Sequence, residues 1–288
     1  SLGIRMIGDI PIYVAMDSAD AWANPSLFQL DEKNVPYAVA GCPPDGFSAT
    51  GQLWGNPLYR WEYHRQTGYE WWLKRLSHCF KLYDAVRIDH FRGFDQYYSI
   101  PYGAEDATRG HWEQGPGIDL FNRVRQVLGE KEVIAEDLGY VTDSVRKLVY
   151  DSGFPGMKVL EFAFDDSENS DYLPHKYQEN CIVYTGTHDN ETIVGWWKSI
   201  TATERKLARD YLCDHATPEE ELYKCFISLI MRSAARVCVI PMQDYMGLNK
   251  PSTVGMNWKW RIKKRDLTKK LQKEIHDVTL RYGRKNWD

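Results

Sequence analysis

Short apolar runs alternate with stretches of helical spacing along most of this chain, a pattern that predicts parallel strands joined by crossover helices. Residues 4–8, 85–89, 132–136, 157–164, 181–184 and 237–240 read as strands. Residues 68–82, 119–128, 142–150, 203–213, 218–236 and 267–282 carry helical spacing, with Thr142 and Thr203 placed as amino-terminal caps and Gly283 after the last helix. Three acids sit where an apolar run has just ended: Asp89 after DAVRI, Glu136 after EVIA and Asp189 after CIVYTGTH. Apolar strands that each deliver an acid at the carboxyl end build the active site of a parallel α/β barrel. Two carboxylates flanking a glycosidic bond are the minimum for cleaving it with retention, so sugar chemistry is the first hypothesis.

The predicted fold class is therefore α/β, of the (β/α)8 TIM-barrel type with loop insertions. Six strands fall short of eight, so part of the barrel, at the front, is expected to be missing from this chain. No linker, low-complexity tract or fixed-period repeat divides the 288 residues, and they read as one partial catalytic barrel domain. Two segments, about 15–61 and 103–117, show little periodicity and read as insertion loops. The first, rich in Pro, Gly, Asp and aromatics, is long enough to be a functional lid.

Composition narrows the ligand. Lys plus Arg number 36 against 40 Asp plus Glu, a net charge of -4, which gives no electrostatic footprint for nucleic acid or an anionic membrane. Aromatic residues make up 14% of the chain, and their faces suit the apolar faces of sugar rings. The six cysteines form no CxxC and have no His-rich partner cluster, which predicts a reduced, cytoplasmic protein without a cysteine-bound metal. No signal peptide or membrane-length apolar stretch is seen.

The strings IGDIPIYVAMDSADAWA, PPDGFSATGQLWGNPLYRW, VRIDHFRGF, GPGIDLF, AEDLGYVT, PGMKVLEFAF, YTGTHDNET and NWKWR, in this order, resemble the 4-alpha-glucanotransferase family, also called amylomaltase or disproportionating enzyme. The resemblance implies a (β/α)8 barrel that moves α-1,4-glucan segments between chains with retention and without a cofactor or metal. It begins at the family's third barrel strand, so the first two βα units are expected from a preceding segment or a companion chain.

Carried over residue by residue, the family's nucleophile falls on Asp89, with Arg87 two residues earlier on the same strand face to hold it charged. The general acid/base falls on Glu136, a task that needs a carboxyl with a raised pKa. Asp137 is its rival, and strand alternation sends the two to opposite faces. Asp189 matches the third carboxylate, which binds sugar hydroxyls, and His188 a hydroxyl-binding neighbour. Asp9, Asp45 and Trp54 match further substrate-binding positions, with Tyr13 nearby, Trp54 as the aromatic platform and Asp45 in a loop that reaches over the cleft. Asn249, Pro251, Thr253, Asn257, Trp258 and Arg261 keep the pattern near the end, whereas Gly247 and Leu248 stand where a basic residue is often seen. The implied partner is a maltooligosaccharide or α-glucan. An α-amylase-like hydrolase, a branching enzyme and an inactive glucan-binding fragment are the competing readings.

Overall fold

The computed structural model describes residues 2–46, 48–139, 141–165, 170–249 and 259–284; Pro251, Thr253, Asn257 and Trp258 lie outside them. The chain divides into two compact units, Ser1–Gly156 and Met157–Asp288.

The first unit contains β1 (Ile7–Pro11), α1 (Ala19–Ala23), β2 (Ala38–Cys42), β3 (Gln52–Pro57), α2 (Trp61–Gln66), α3 (Glu70–Leu82), β4 (Ala85–Asp89), β5 (Gln96–Pro101), β6 (His111–Gln114), α4 (Ile118–Leu128), β7 (Val133–Ala135) and α5 (Asp143–Ser152). Its parallel strands run in the order β1, β4, β7, with β1 at an edge. In the β1–β4 register Asp9 faces Arg87 and Pro11 faces Asp89, so adjacent strand ends bring these charged residues side by side. Crossover helix α3 buries Trp72, Leu76 and Cys79, spaced to lie on one face, while α4 buries Leu120, Phe121 and Val124. These residues join Val86, Ile88, Phe91 and Phe94 in one core. Phe121 stacks on Phe91 at 4.9 Å and meets Phe94 edge-on at 5.1 Å, arrangements aromatic rings favour beyond simple area burial. The hydroxyl of Thr142 caps α5 by accepting from the Val145 N–H.

Segment 15–61 is more regular than its sequence suggests. β2 and β3 pair antiparallel and combine with β5 and β6 into a four-stranded sheet of order β3, β2, β5, β6. Thus segment 103–117 also contributes a strand. The alternation that would reveal these strands is absent, because β2 and β5 bury consecutive residues and most of β3 is exposed.

At the junction Ala135 pairs with Gly156, the first residue of β8 (Gly156–Val159). The second unit continues with β9 (Cys181–Tyr184), α6 (Ile193–Ser199), α7 (Ala202–Leu212), α8 (Leu222–Met231), β10 (Val237–Val239), α9 (Met242–Tyr245) and α10 (Lys269–Arg281). Strands β8, β9 and β10 are neighbours in that order, with β9 and β10 parallel. A second core gathers Phe164, Trp196, Trp197, Phe226 and Ile230 around them. The strand expected over 157–164 stops at Val159 and turns into a 3-10 helix, Leu160–Phe162; its apolar run continues because the turn is buried too. Helix α7 is capped by Thr201 rather than Thr203: Thr201 accepts from the Glu204 N–H while the Glu204 carboxylate accepts from the Thr201 N–H, a reciprocal capping box.

Candidate active site

Arg87 is the hub of the charged group in the first unit. Only 8% exposed, it donates from Nη1 to both carboxylate oxygens of Asp9, at 2.8 and 2.9 Å, and its Nη2 pairs with Asp89 Oδ1 at 2.8 Å. Burial works against the guanidinium charge, but Asp9 and Asp89 outweigh it and hold the pKa above the ordinary arginine value. Strand alternation explains the geometry: residues 87 and 89 share one face of β4, and parallel pairing puts Asp9 beside Arg87.

Glu136 stands one residue past β7. Its Oε2 accepts from the His90 N–H at 2.6 Å and its Oε1 from the Leu138 N–H at 2.9 Å. Burial, then repulsion from Asp89, push this carboxyl up to about 7, against the opposing pull of Arg87 and the two N–H donors. Asp89 and Glu136 are thus electrostatically coupled yet differently held, one in an ion pair and the other in a desolvated hydrogen-bonded niche. Asp137 packs elsewhere: a side chain added at Gly156 would place its Cβ 2.6 Å from Asp137 Oδ2.

His90, a residue without a signal in the sequence, links the acid pair to the aromatic wall. It adopts the left-handed conformation (φ 53°, ψ 49°), in which its N–H points at Glu136. A non-glycine residue holds that conformation at a cost of about 1–2 kcal/mol. Its ring meets Trp54 edge-on at 4.8 Å, and its buried Nε2 has no hydrogen-bond partner among the described residues. Burial, then Arg92, push its pKa down to about 3, so the ring is neutral near pH 7. Trp54, 36% exposed on β3, donates from its indole N–H to Gln52 Oε1 at 3.0 Å and lies 6.2 Å from the Tyr13 ring. Asp45 accepts from the Ser48 N–H at 2.8 Å, closing a short exposed turn after β2. Burial raises the thiol of Cys42, at the end of β2, to about 12; Arg92 opposes, and Asp45, Glu136 and Asp89 add to the rise.

In the second unit, His188 and Asp189 occupy a turn between β9 and α6. His188 Nε2 lies 3.3 Å from Asp189 Oδ2, and both side chains are more than half exposed. Asn190 Oδ1 accepts from the Thr187 N–H at 2.9 Å and from its hydroxyl at 2.7 Å, bracketing the pair. Among the described residues, no group of three or more His, Cys, Asp or Glu is placed to hold a metal ion, and no helix is long and apolar enough to cross a membrane.

Residues 1–268 match the family model described as 4-alpha-glucanotransferase. A 4-alpha-glucanotransferase of Clostridium butyricum is 46% identical over 289 residues, covering 98% of this chain and 59% of the relative. The chloroplastic/amyloplastic 4-alpha-glucanotransferase of Solanum tuberosum is 43% identical over 293 residues, covering 99% of this chain and 50% of the relative. Among solved structures, an amylomaltase from Streptococcus agalactiae in complex with acarbose superimposes with a TM-score of 0.92 at 41% identity, covering 99% of this chain and 58% of that one. The chain therefore spans 50–59% of the length of these relatives. With the match running through both units, the chain belongs to the 4-alpha-glucanotransferase family.

Proposed function

We propose that this chain carries the catalytic carboxylates of a retaining 4-alpha-glucanotransferase, which moves segments of a maltooligosaccharide to the 4-hydroxyl of an acceptor glucan or glucose. The observation that carries this reading is the pair of unlike carboxylates: Asp89 clamped by Arg87, and Glu136 raised to about 7 by burial and by Asp89. A nucleophile and an acid/base must differ in this way to act together near neutral pH. Asp89 attacks the anomeric carbon as Glu136 gives its proton to the departing sugar oxygen, leaving a glycosyl ester on Asp89. Glu136, now ionised, takes the proton of an incoming 4-hydroxyl, whose oxygen displaces Asp89. Two inversions give retention.

Asp9 holds the far side of Arg87, Trp54 offers its indole face to a sugar ring, and Asp45 serves the loop beside the acids. Asp189 and His188 bind sugar hydroxyls, the roles that the family resemblance gives them. The fold we infer for the whole catalytic domain is a (β/α)8 barrel. β1 is a sheet edge with Ile7 46% exposed, a surface suited to further strands from a preceding segment or companion chain. Six cysteines outside any disulfide fit a reducing, cytoplasmic setting.

The test is Asp89→Asn, assayed with maltotriose alone while binding of maltooligosaccharide is followed separately. Transfer yields glucose plus longer oligosaccharides in the parent protein, and the variant binds sugar but loses turnover by far more than tenfold. Survival of turnover within about tenfold, only ~1.4 kcal/mol of barrier, would refute Asp89 as nucleophile. Release of shorter sugars alone from the parent points instead to a hydrolase, and binding without turnover to an inactive glucan-binding fragment.

A further inference from the structure

The second unit contains a fully buried carboxylate that no role above employs. Asp244, on the short helix α9, is 0% exposed. Its Oδ2 accepts from the Thr185 hydroxyl at 2.5 Å, and its Oδ1 accepts from the Ile193 N–H at 2.9 Å. These two partners lie at opposite ends of one loop. Thr185 follows the last residue of β9, and Ile193 is the first residue of α6. Between them lies the turn that bears His188 and Asp189.

A bidentate grip on both ends of the nine-residue span from Thr185 to Ile193 removes most of the loop's freedom to hinge. Burial makes the grip strict, because neither donor can exchange its partner for water without opening the unit. Two further contacts close the same loop. Gly186 sits so tightly that an added Cβ would stand 2.7 Å from Glu161 Oε1 and 3.1 Å from the Glu191 carbonyl oxygen. Thr192 caps α6 by accepting from the Gly195 N–H at 3.2 Å. Inside this frame the Asn190–Thr187 bonds fix the tip, leaving the carboxylate of Asp189 exposed on an anchored turn.

We propose that Asp244 is a positioning residue for the transfer reaction: by holding Thr185 and the Ile193 N–H at once, it fixes the loop that presents Asp189. The assignment rests on Asp189 serving the reaction proposed above, but the clamp itself is observable without turnover. Loop order matters because a sugar-binding carboxylate displaced by about 1 Å loses much of its effect on the reacting ring, of order 100-fold in rate.

Two measurements on the full chain test it. In hydrogen exchange, Asp244→Ala speeds exchange of the amides of residues 186–192 at least about tenfold while those of β4 stay protected. Thr185→Val, which removes one bond and keeps the volume, gives a smaller increase in the same segment. Asp244→Asn retains an acceptor for the Ile193 N–H and, with the Thr185 hydroxyl rotated, a donor for Thr185; it therefore stays near the parent. Unchanged exchange in Asp244→Ala, or, where that variant fails to fold, in Thr185→Val, overturns the clamp. In kinetics with maltotriose, Asp244→Ala lowers kcat at least about 30-fold and Asp244→Asn less than about fivefold. In an Asp189→Asn background the Asp244→Ala change costs less than about threefold more. A full, multiplicative loss in that background means Asp244 does not act through Asp189 and overturns the positioning role. A parent protein inactive on maltotriose refutes the transferase reading instead, and the exchange data still judge the clamp.

Discussion

Glu136 should make the protein less stable as pH rises, and removing its ionisation should abolish this contribution. Its pKa moves from an ordinary value of 4.5 to about 7 in the folded chain, so ionisation is about 3 kcal/mol harder in the native state than in the unfolded one. The sign follows directly. Below pH 4.5 both states hold the proton and the group has no effect. Between 4.5 and about 7 the unfolded chain releases the proton first, so stability falls with pH, and above 7 the full penalty is present. Glu136→Gln carries no such penalty. It keeps an acceptor for only one of the His90 and Leu138 N–H donors and turns an N–H group toward the other. That loss, about 1–3 kcal/mol, does not vary with pH. The discriminating quantity is therefore the change in the difference between variant and parent. Thermal melts from pH 4 to pH 8 should show the variant gaining about 3 kcal/mol on the parent over this range, roughly 6 °C for a chain of this size. A pH-independent difference would show that Glu136 keeps an ordinary pKa, and the acid/base assignment would lose its physical basis.

Other outcomes follow from the same contacts. Arg87→Met leaves Asp9 and Asp89 without their shared cation; because both carboxylates are 45% exposed and stay solvated, the loss in denaturant melts should be about 1–3 kcal/mol. Because Arg87 holds the Glu136 pKa down, any activity left in that variant should keep its alkaline limb at higher pH than the parent. Trp54→Ala should raise KM about tenfold, from lost ring stacking, with a smaller change in kcat. Gly156→Ala forces a Cβ to within 2.6 Å of Asp137 Oδ2 and should cost about 1–3 kcal/mol of stability, read by urea titration. Thr201→Ala removes the capping box of α7 and should cost about 1 kcal/mol, with turnover unchanged.

The alternation of apolar runs and helical spacing was enough to place β4 and β9 with their observed ends, because each is a contiguous buried strand bounded by polar residues. It was also enough to put Arg87 and Asp89 on one face, since side-chain direction along a strand has a fixed period of two. The antiparallel sheet escaped notice because its strands follow no such period. Consecutive burial in β2 and β5, and exposure along β3, come from neighbours distant in sequence. Cap choice failed at Thr203 for a local reason: three residues on from Thr203 stands Lys206, whereas Thr201 has Glu204 at that spacing, and the reciprocal bond selected it.

Which atoms meet was decided by tertiary structure alone. The sequence places an acid at the end of three apolar runs, but pKa depends on burial and on charges brought from other strands. Only folding desolvates Glu136 beside Asp89 and turns the His90 N–H toward it. In the second unit the string PMQDYMGL gives no hint that its aspartate closes a loop some fifty residues earlier. Hydrogen bonds to Thr185 and Ile193 are fixed by packing in three dimensions, which no spacing along the chain encodes.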